Sequence, residues 1–123
     1  MVLELARHSL FSCHWRKSKH KVRITIFKIK PGKKEKLLQW GAEIMNNQQQ
    51  ALLSIGEENC REESMRIFSI ENNDFLLCVM SAKDKKGILP YDKNQPINKK
   101  HFEILEECLE EEVMQEKMYH LRL

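Results

Sequence analysis

Two histidines, His101 and His120, are the side chains of this chain best suited to moving a proton near neutral pH. His101 ends the run Pro96-Ile-Asn-Lys-Lys-His101. It falls at about the third position of a helix expected to begin near Asn98, a good N-cap residue, and it lies beside a long polar connection. The positive end of that helix favours a neutral imidazole, which can act as a general base or hold a ligand. The same imidazole can instead hydrogen-bond Asn98 or the loop and fix the helix start. His120 alternates with Tyr119 in a terminal run, so it faces either a cavity between sheet and partner or water. Trp40 sits on the apolar stripe of the first helix, as core or as the wall of a ligand pocket. Tyr91 stands in the long connection, where it caps such a pocket or covers a sheet edge. The candidate catalytic residues are therefore His101 and His120. The candidate contacts for a small apolar ligand are Phe27, Trp40, Tyr91, Asn98 and His101.

Other chemistries lack their patterns. There is no phosphate-binding glycine loop, no dinucleotide fingerprint, no G-x-S-x-G and no H-E-x-x-H. His8, Cys13, His14 and His20 match no common zinc spacing, so no metal is expected. The carboxylates of Glu103 to Glu112 would scatter round a helix surface, and no calcium loop accompanies them. No cofactor is expected. None of Cys13, Cys60, Cys78 and Cys108 forms a C-x-x-C pair, which points to free thiols and a cytoplasmic setting.

The elements that must position these residues read as follows. Residues 21–30 alternate as a strand, with Val22, Ile24 and Ile26 on a clean apolar side and Arg23, Thr25, Phe27 and Ile29 on a mixed one. One apolar face fits a sheet covered by helices on one side. Pro31-Gly32 ends the strand, and Leu37, Trp40, Gly41, Ile44, Met45, Leu52 and Ile55 then mark one helix over residues 33–54. A loop leads to a second strand at 64–70, a turn at Glu71-Asn-Asn-Asp74, and a third strand at 75–81. The third strand is apolar on both faces, which makes it central and asks for a second cover that sheet-to-sheet dimerisation would supply. Residues 82–97 are long for an unstructured connection, and Ile88-Leu-Pro-Tyr91 can fold back as a lid or cross to a partner. The second helix carries Phe102, Leu105, Leu109 and Val113 on its stripe, and residues 117–123 read as a fourth strand. The order β-α-β-β-α-β is that of a ferredoxin-like α+β sandwich with an antiparallel sheet.

The composition suits a soluble domain: 41% hydrophobic and 32% charged residues, with no apolar run near the ~20 residues of a bilayer span. Charge is uneven. Residues 1–36 hold eleven Lys/Arg against Glu4 and Glu35, a net +9, while residues 37–123 hold ten against sixteen Asp/Glu, a net −6. Segments so opposed attract each other within a chain or across a dimer. A nucleic-acid contact through the basic N-terminal segment ranks third among the functions considered, because few aromatics interleave its cations. Residues 1–20 read as a basic extension, flexible or partly helical, or as translation from a start codon upstream of the domain's own; residues 21–123 form the domain.

Phe27-Lys-Ile-Lys-Pro-Gly-Lys-Lys-Glu-Lys-Leu-Leu-Gln-Trp40, with the hairpin at 65–80, resembles the opening of dimeric α+β-barrel proteins such as the antibiotic-biosynthesis monooxygenases and the stress-responsive A/B-barrel domains. Pro96-Ile-Asn-Lys-Lys-His101-Phe-Glu-Ile-Leu-Glu-Glu-Cys108 resembles domain-of-unknown-function family 6176, a group of short bacterial proteins. The chain departs from that pattern at Asn98, where aspartate is expected, and at Leu105, where a large aromatic is expected. The resemblance implies a homodimeric α+β barrel and brings no activity with it. The resulting first expectation is a small-ligand binding or accessory protein. The second is a cofactor-free monooxygenase or isomerase-like enzyme, which rests on fold analogy.

Overall fold

A computed structural model describes residues 21–123. The expected extension at 1–20, with its basic segment and its His/Cys set, lies outside the described residues. The domain is α+β, with four antiparallel strands in one open sheet and three helices. In chain order these are β1 (Val22–Ile29), α1 (Lys34–Asn46), α2 (Gln48–Glu57), β2 (Cys60–Ile70), β3 (Asn73–Ala82), α3 (Pro96–Cys108) and β4 (Leu109–Glu112). The strands lie side by side as β2-β3-β1-β4. Among the described residues no helix is long and apolar enough to cross a membrane.

β1 leaves the sheet through a tight turn. The Lys33 amide donates to the Lys30 carbonyl at 3.1 Å, and Gly32 takes φ +78°, a left-handed value that a type II turn demands at this position. The single helix expected over 33–54 is instead two. Asn47 breaks it with φ −115° and ψ 41°, and its side-chain amide donates back to the Glu43 carbonyl at 3.1 Å. A short polar side chain that bonds its own backbone competes with the helical ladder, and here it bends the chain. Leu37 and Trp40 are buried as expected, whereas Met45 and Leu52 of the same expected stripe are exposed.

β2 begins at Cys60, four residues earlier than the alternation suggested, and pairs with β3 along its whole length. Glu71 and Asn72 form the two-residue connection, both with positive φ, at 49° and 66°. That is a type I′ turn, whose twist suits the strands and whose preferred residues are Asn-Gly. The double change Glu71→Asn, Asn72→Gly should therefore stabilise the fold by about 1 kcal/mol, read as a higher urea midpoint at unchanged slope.

The helices cover the face that carries Thr25, Phe27 and Ile29 of β1 and Leu76, Cys78 and Met80 of β3. This reverses the expectation for β1. Its clean apolar side, Val22, Ile24 and Ile26, faces away from the helices, and Val22 and Ile24 are half exposed. The choice was made by β3, which is central as expected: register pairs Phe27 with Leu76 and Thr25 with Cys78, so those side chains share a face. Phe68 and Phe75 stack across the hairpin on the open face, with ring centroids 5.3 Å apart.

The two ends of the last helix also differ from expectation. Pro96 occupies its first turn and Gln95 its N-cap, so Asn98 is an interior residue and His101 lies in the second turn. At its other end the chain turns directly into β4, where Leu109 stands opposite Ile29 and is buried. Leu109 and Val113 therefore leave the helical stripe. The fourth strand is the acidic run 109–112; residues 117–123, expected as that strand, are in no helix or strand.

Candidate functional site

Four segments meet on one side of α3. Trp40 and Ile44 come from α1, Ala51 and Ser54 from α2, and Asn98, His101 and Phe102 from α3. The connection after β3 folds back over its own chain and brings Tyr91. Ile88 plugs into the core with no exposure, the Leu89 amide donates to the Glu58 carbonyl at 2.8 Å, and Tyr91 stacks on Phe102 with centroids 4.1 Å apart. Asn59 pins the same connection through its side-chain amide, which donates to the Gly87 carbonyl and to Asp84, both at 2.9 Å.

These residues enclose a cavity of about 50 Å³, room for a small polar group. Glu58 and Glu63 complete its polar lining. A shallower space of about 340 Å³ adjoins it and shares Trp40, Ile44 and Ile97 as a wall. The two together have the size of a small-molecule site, with Trp40, Ile44 and Ile97 as an apolar wall common to both.

The polar groups are arranged by one another. The Trp40 indole N–H donates to His101 Nδ1 at 2.9 Å. Accepting that bond leaves Nδ1 unprotonated, so in the neutral ring the proton sits on Nε2. The Ser54 hydroxyl donates to Asn98 Oδ1 at 2.6 Å, and Asn98 Nδ2 donates to the Asp92 carbonyl at 2.8 Å. Asn98 is thus a buried bracket between α2, α3 and the connection. Tyr91 is held as a phenol, because burial, with lesser contributions from Glu106 and Glu58, pushes its pKa up to about 12. Lys100 stands 5.2 Å over the Trp40 ring and pairs with Glu43 at 2.7 Å, which closes the outer edge of the wall.

Of the expected ligand contacts, Trp40, Tyr91, Asn98 and His101 come together and Phe27 does not. Phe27 is sealed in the core between sheet and helices. His120 is also elsewhere, in the exposed segment after β4, so the two candidate catalytic histidines do not converge. Over residues 20–122 the chain matches the model of a family of unknown function, DUF6176. It belongs to that family. No curated protein and no solved structure matches it.

In this DUF6176 chain, sequence reasoning missed Ser54, Glu58, Glu63 and Phe102 as cavity residues. Phe102 was legible as apolar stripe. The Glu58 and Glu63 carboxylates read as loop charges, and only the early start of β2 turns Glu63 toward the helices. Among the described residues no group of three His, Cys, Asp or Glu side chains could hold a metal. The opposed charges do meet within the chain: Lys33 and Lys36 bond Glu107 at 3.1 and 2.6 Å, and Lys28 lies 3.7 Å from Glu110. Hydrogen bonds from Lys36 and then Lys33 hold the Glu107 carboxyl below the usual range.

Cys60, Cys78 and Cys108 are buried thiols. Burial first, then Glu63, pushes the Cys60 thiol up to about 11, and a thiol without thiolate is a poor nucleophile. Native protein treated with iodoacetamide at pH 8 should therefore be unmodified at these three positions by peptide mapping, and modified at all of them once unfolded in urea.

Proposed function

We propose that this DUF6176 protein binds a small molecule with an apolar body and a hydrogen-bond-donating head, and does so as a homodimer of ferredoxin-like, α+β-barrel type. The binding reading rests on the convergence of Trp40, Tyr91, Asn98 and His101 on one cavity. The head group follows from the smaller space, where, among the described residues, the acidic lining residues are Glu58 and Glu63 and no Lys or Arg accompanies them. Carboxylates there disfavour an anion and favour an amine or hydroxyl. The apolar body would lie against Trp40, Ile44 and Ile97. Support for the fold assignment comes from the order β2-β3-β1-β4 with antiparallel neighbours, and support for the dimer from the half-exposed apolar face of the sheet.

An enzyme is the second reading, favoured by Tyr91, Glu58 and Glu63 lining the same cavity as His101. It would not use His101 as the base in its present tautomer, since Nδ1 already accepts the Trp40 proton. A general base would then be a carboxylate.

Ligand-observed NMR with a panel of arylalkyl amines, alcohols and carboxylates tests the binding reading. Amines or alcohols should bind and compete with one another, and Ala51→Phe, which fills the cavity from α2, should weaken them at least tenfold. Binding of carboxylates alone, or amine binding that Ala51→Phe leaves unchanged, would overturn it.

A further inference from the structure

Eleven residues follow β4, and they are exposed. Residues 113–123 are in no helix or strand, yet Met114, Met118, Tyr119 and Leu121 expose between 70% and 91% of their surface. Tyr119, Leu121 and Leu123 alternate with His120 and Arg122, which is the pattern of a strand with one apolar side. Only the root of the segment is tied to the sheet. The Val113 amide donates to the Ile26 carbonyl at 2.7 Å, and the Gln115 side chain donates to the Ile24 carbonyl at 3.0 Å.

These bonds lie along the outer edge of β1, so the segment leaves from the edge of the sheet. Continuing the pairing of Phe27 with Glu112 brings Lys117 level with Val22, where β1 begins. Among the described residues, Lys117 is the last position of the segment that this register places opposite β1. Lys117, His120 and Arg122 border, with Lys21–Ile24, a half-open space of about 880 Å³. The apolar side of this alternating run is left largely exposed, Tyr119 at 70% and Leu121 at 85%.

The surface that matches it is the open sheet face. By register, Val22, Ile24 and Ile26 lie there beside Leu77, Val79, Phe75 and Phe68. Three strands of this length make a face of about 26 Å by about 14 Å, small against the ~800 Å² per partner that a stable interface buries. An arm on each side enlarges it. In a two-fold dimer each copy gives one arm and receives one, so neither is left over.

We infer that residues 113–123 are an exchange arm that crosses to a second copy of this chain and lays Tyr119, Leu121 and Leu123 on that copy's open sheet face. The inference rests on the homodimer reading and adds the segment that closes the dimer. Sedimentation velocity on the full chain, on a chain ending at Glu112 and on Leu121→Asp tests it, together with hydrogen exchange of residues 117–123 at high and low protein concentration. The expected result is a full-chain dimer, at least tenfold weaker association for both variants, and protection of 117–123 that disappears on dilution. Variants that dimerise as tightly as the full chain would overturn the arm and leave the sheet-face dimer standing. Protection that is independent of concentration would place the segment on its own chain. A full chain that is monomeric at every concentration would remove arm and dimer together.

Discussion

Trp40→Ala should destabilise the protein by about 3–5 kcal/mol, the cost of removing a large buried aromatic from a packed site. The ring is 6% exposed. Besides its packing, the indole N–H satisfies His101 Nδ1, and truncation would leave that nitrogen facing a void. Trp40→Phe separates the two contributions. It keeps most of the apolar contact and loses the donor, so it should cost about 1–2 kcal/mol. Urea denaturation gives both values. The nitrogen chemical shifts of His101 give an independent reading: the wild-type ring should be the Nε2–H tautomer, and Trp40→Phe should show a mixture. An unchanged tautomer in Trp40→Phe would mean that the indole does not set the state of the imidazole.

Asn98→Asp is the second large effect, about 3 kcal/mol at pH 7. The wild-type side chain accepts from Ser54 and donates to the Asp92 carbonyl. A carboxylate keeps the first bond and turns the second into a contact between two oxygens, with a buried charge beside them. The new carboxyl would then have a folded-state pKa above its unfolded value near 3.9. The folded state holds the extra proton between those two values, so stability of the variant falls as pH rises through that window. Below it the protonated acid can donate to the Asp92 carbonyl and the deficit should shrink. The check is the difference in unfolding free energy between wild type and variant from pH 3.5 to 8. A difference that stays flat would mean that donation to Asp92 does not hold this bracket.

That position also shows what could and could not be read from the residues alone. The resemblance expects an aspartate at 98, and an N-cap role suits either residue. Only the placement of Pro96 at the helix start moves Asn98 inside, where amide and carboxylate are no longer equivalent. Trp40, Tyr91 and His101 were legible as a set because each is a large or titratable side chain next to an apolar stripe or a loop. What local pattern left open, between folding back and crossing to a partner, was the path of residues 88–91, which return because Ile88 fills the core. The acidic run after Cys108 misled for a related reason. Leu105, Leu109 and Val113 have helical spacing, but the Lys30 amide donates to the Cys108 carbonyl at 2.8 Å and draws the next residues into the sheet. Long-range pairing overrode a local preference. β1 is the converse case: its apolar side was expected under the helices, and the helices cover the other side.

The order of the strands sets the order in which the chain can assemble. β2 and β3 are joined by two residues and register along ten pairs, so their hairpin closes a minimal loop. The edge pairing of β1 with β4 joins Ile29 to Leu109, and everything between them must already be compact before that closure is compensated by contacts. The hairpin should therefore belong to the folding nucleus, with mutations in it slowing folding, while changes at Leu109 mainly speed unfolding. On this account the strand that completes the sheet is the last to join it and the first to detach, and a transiently opened molecule would release the β1 edge while its hairpin stays intact.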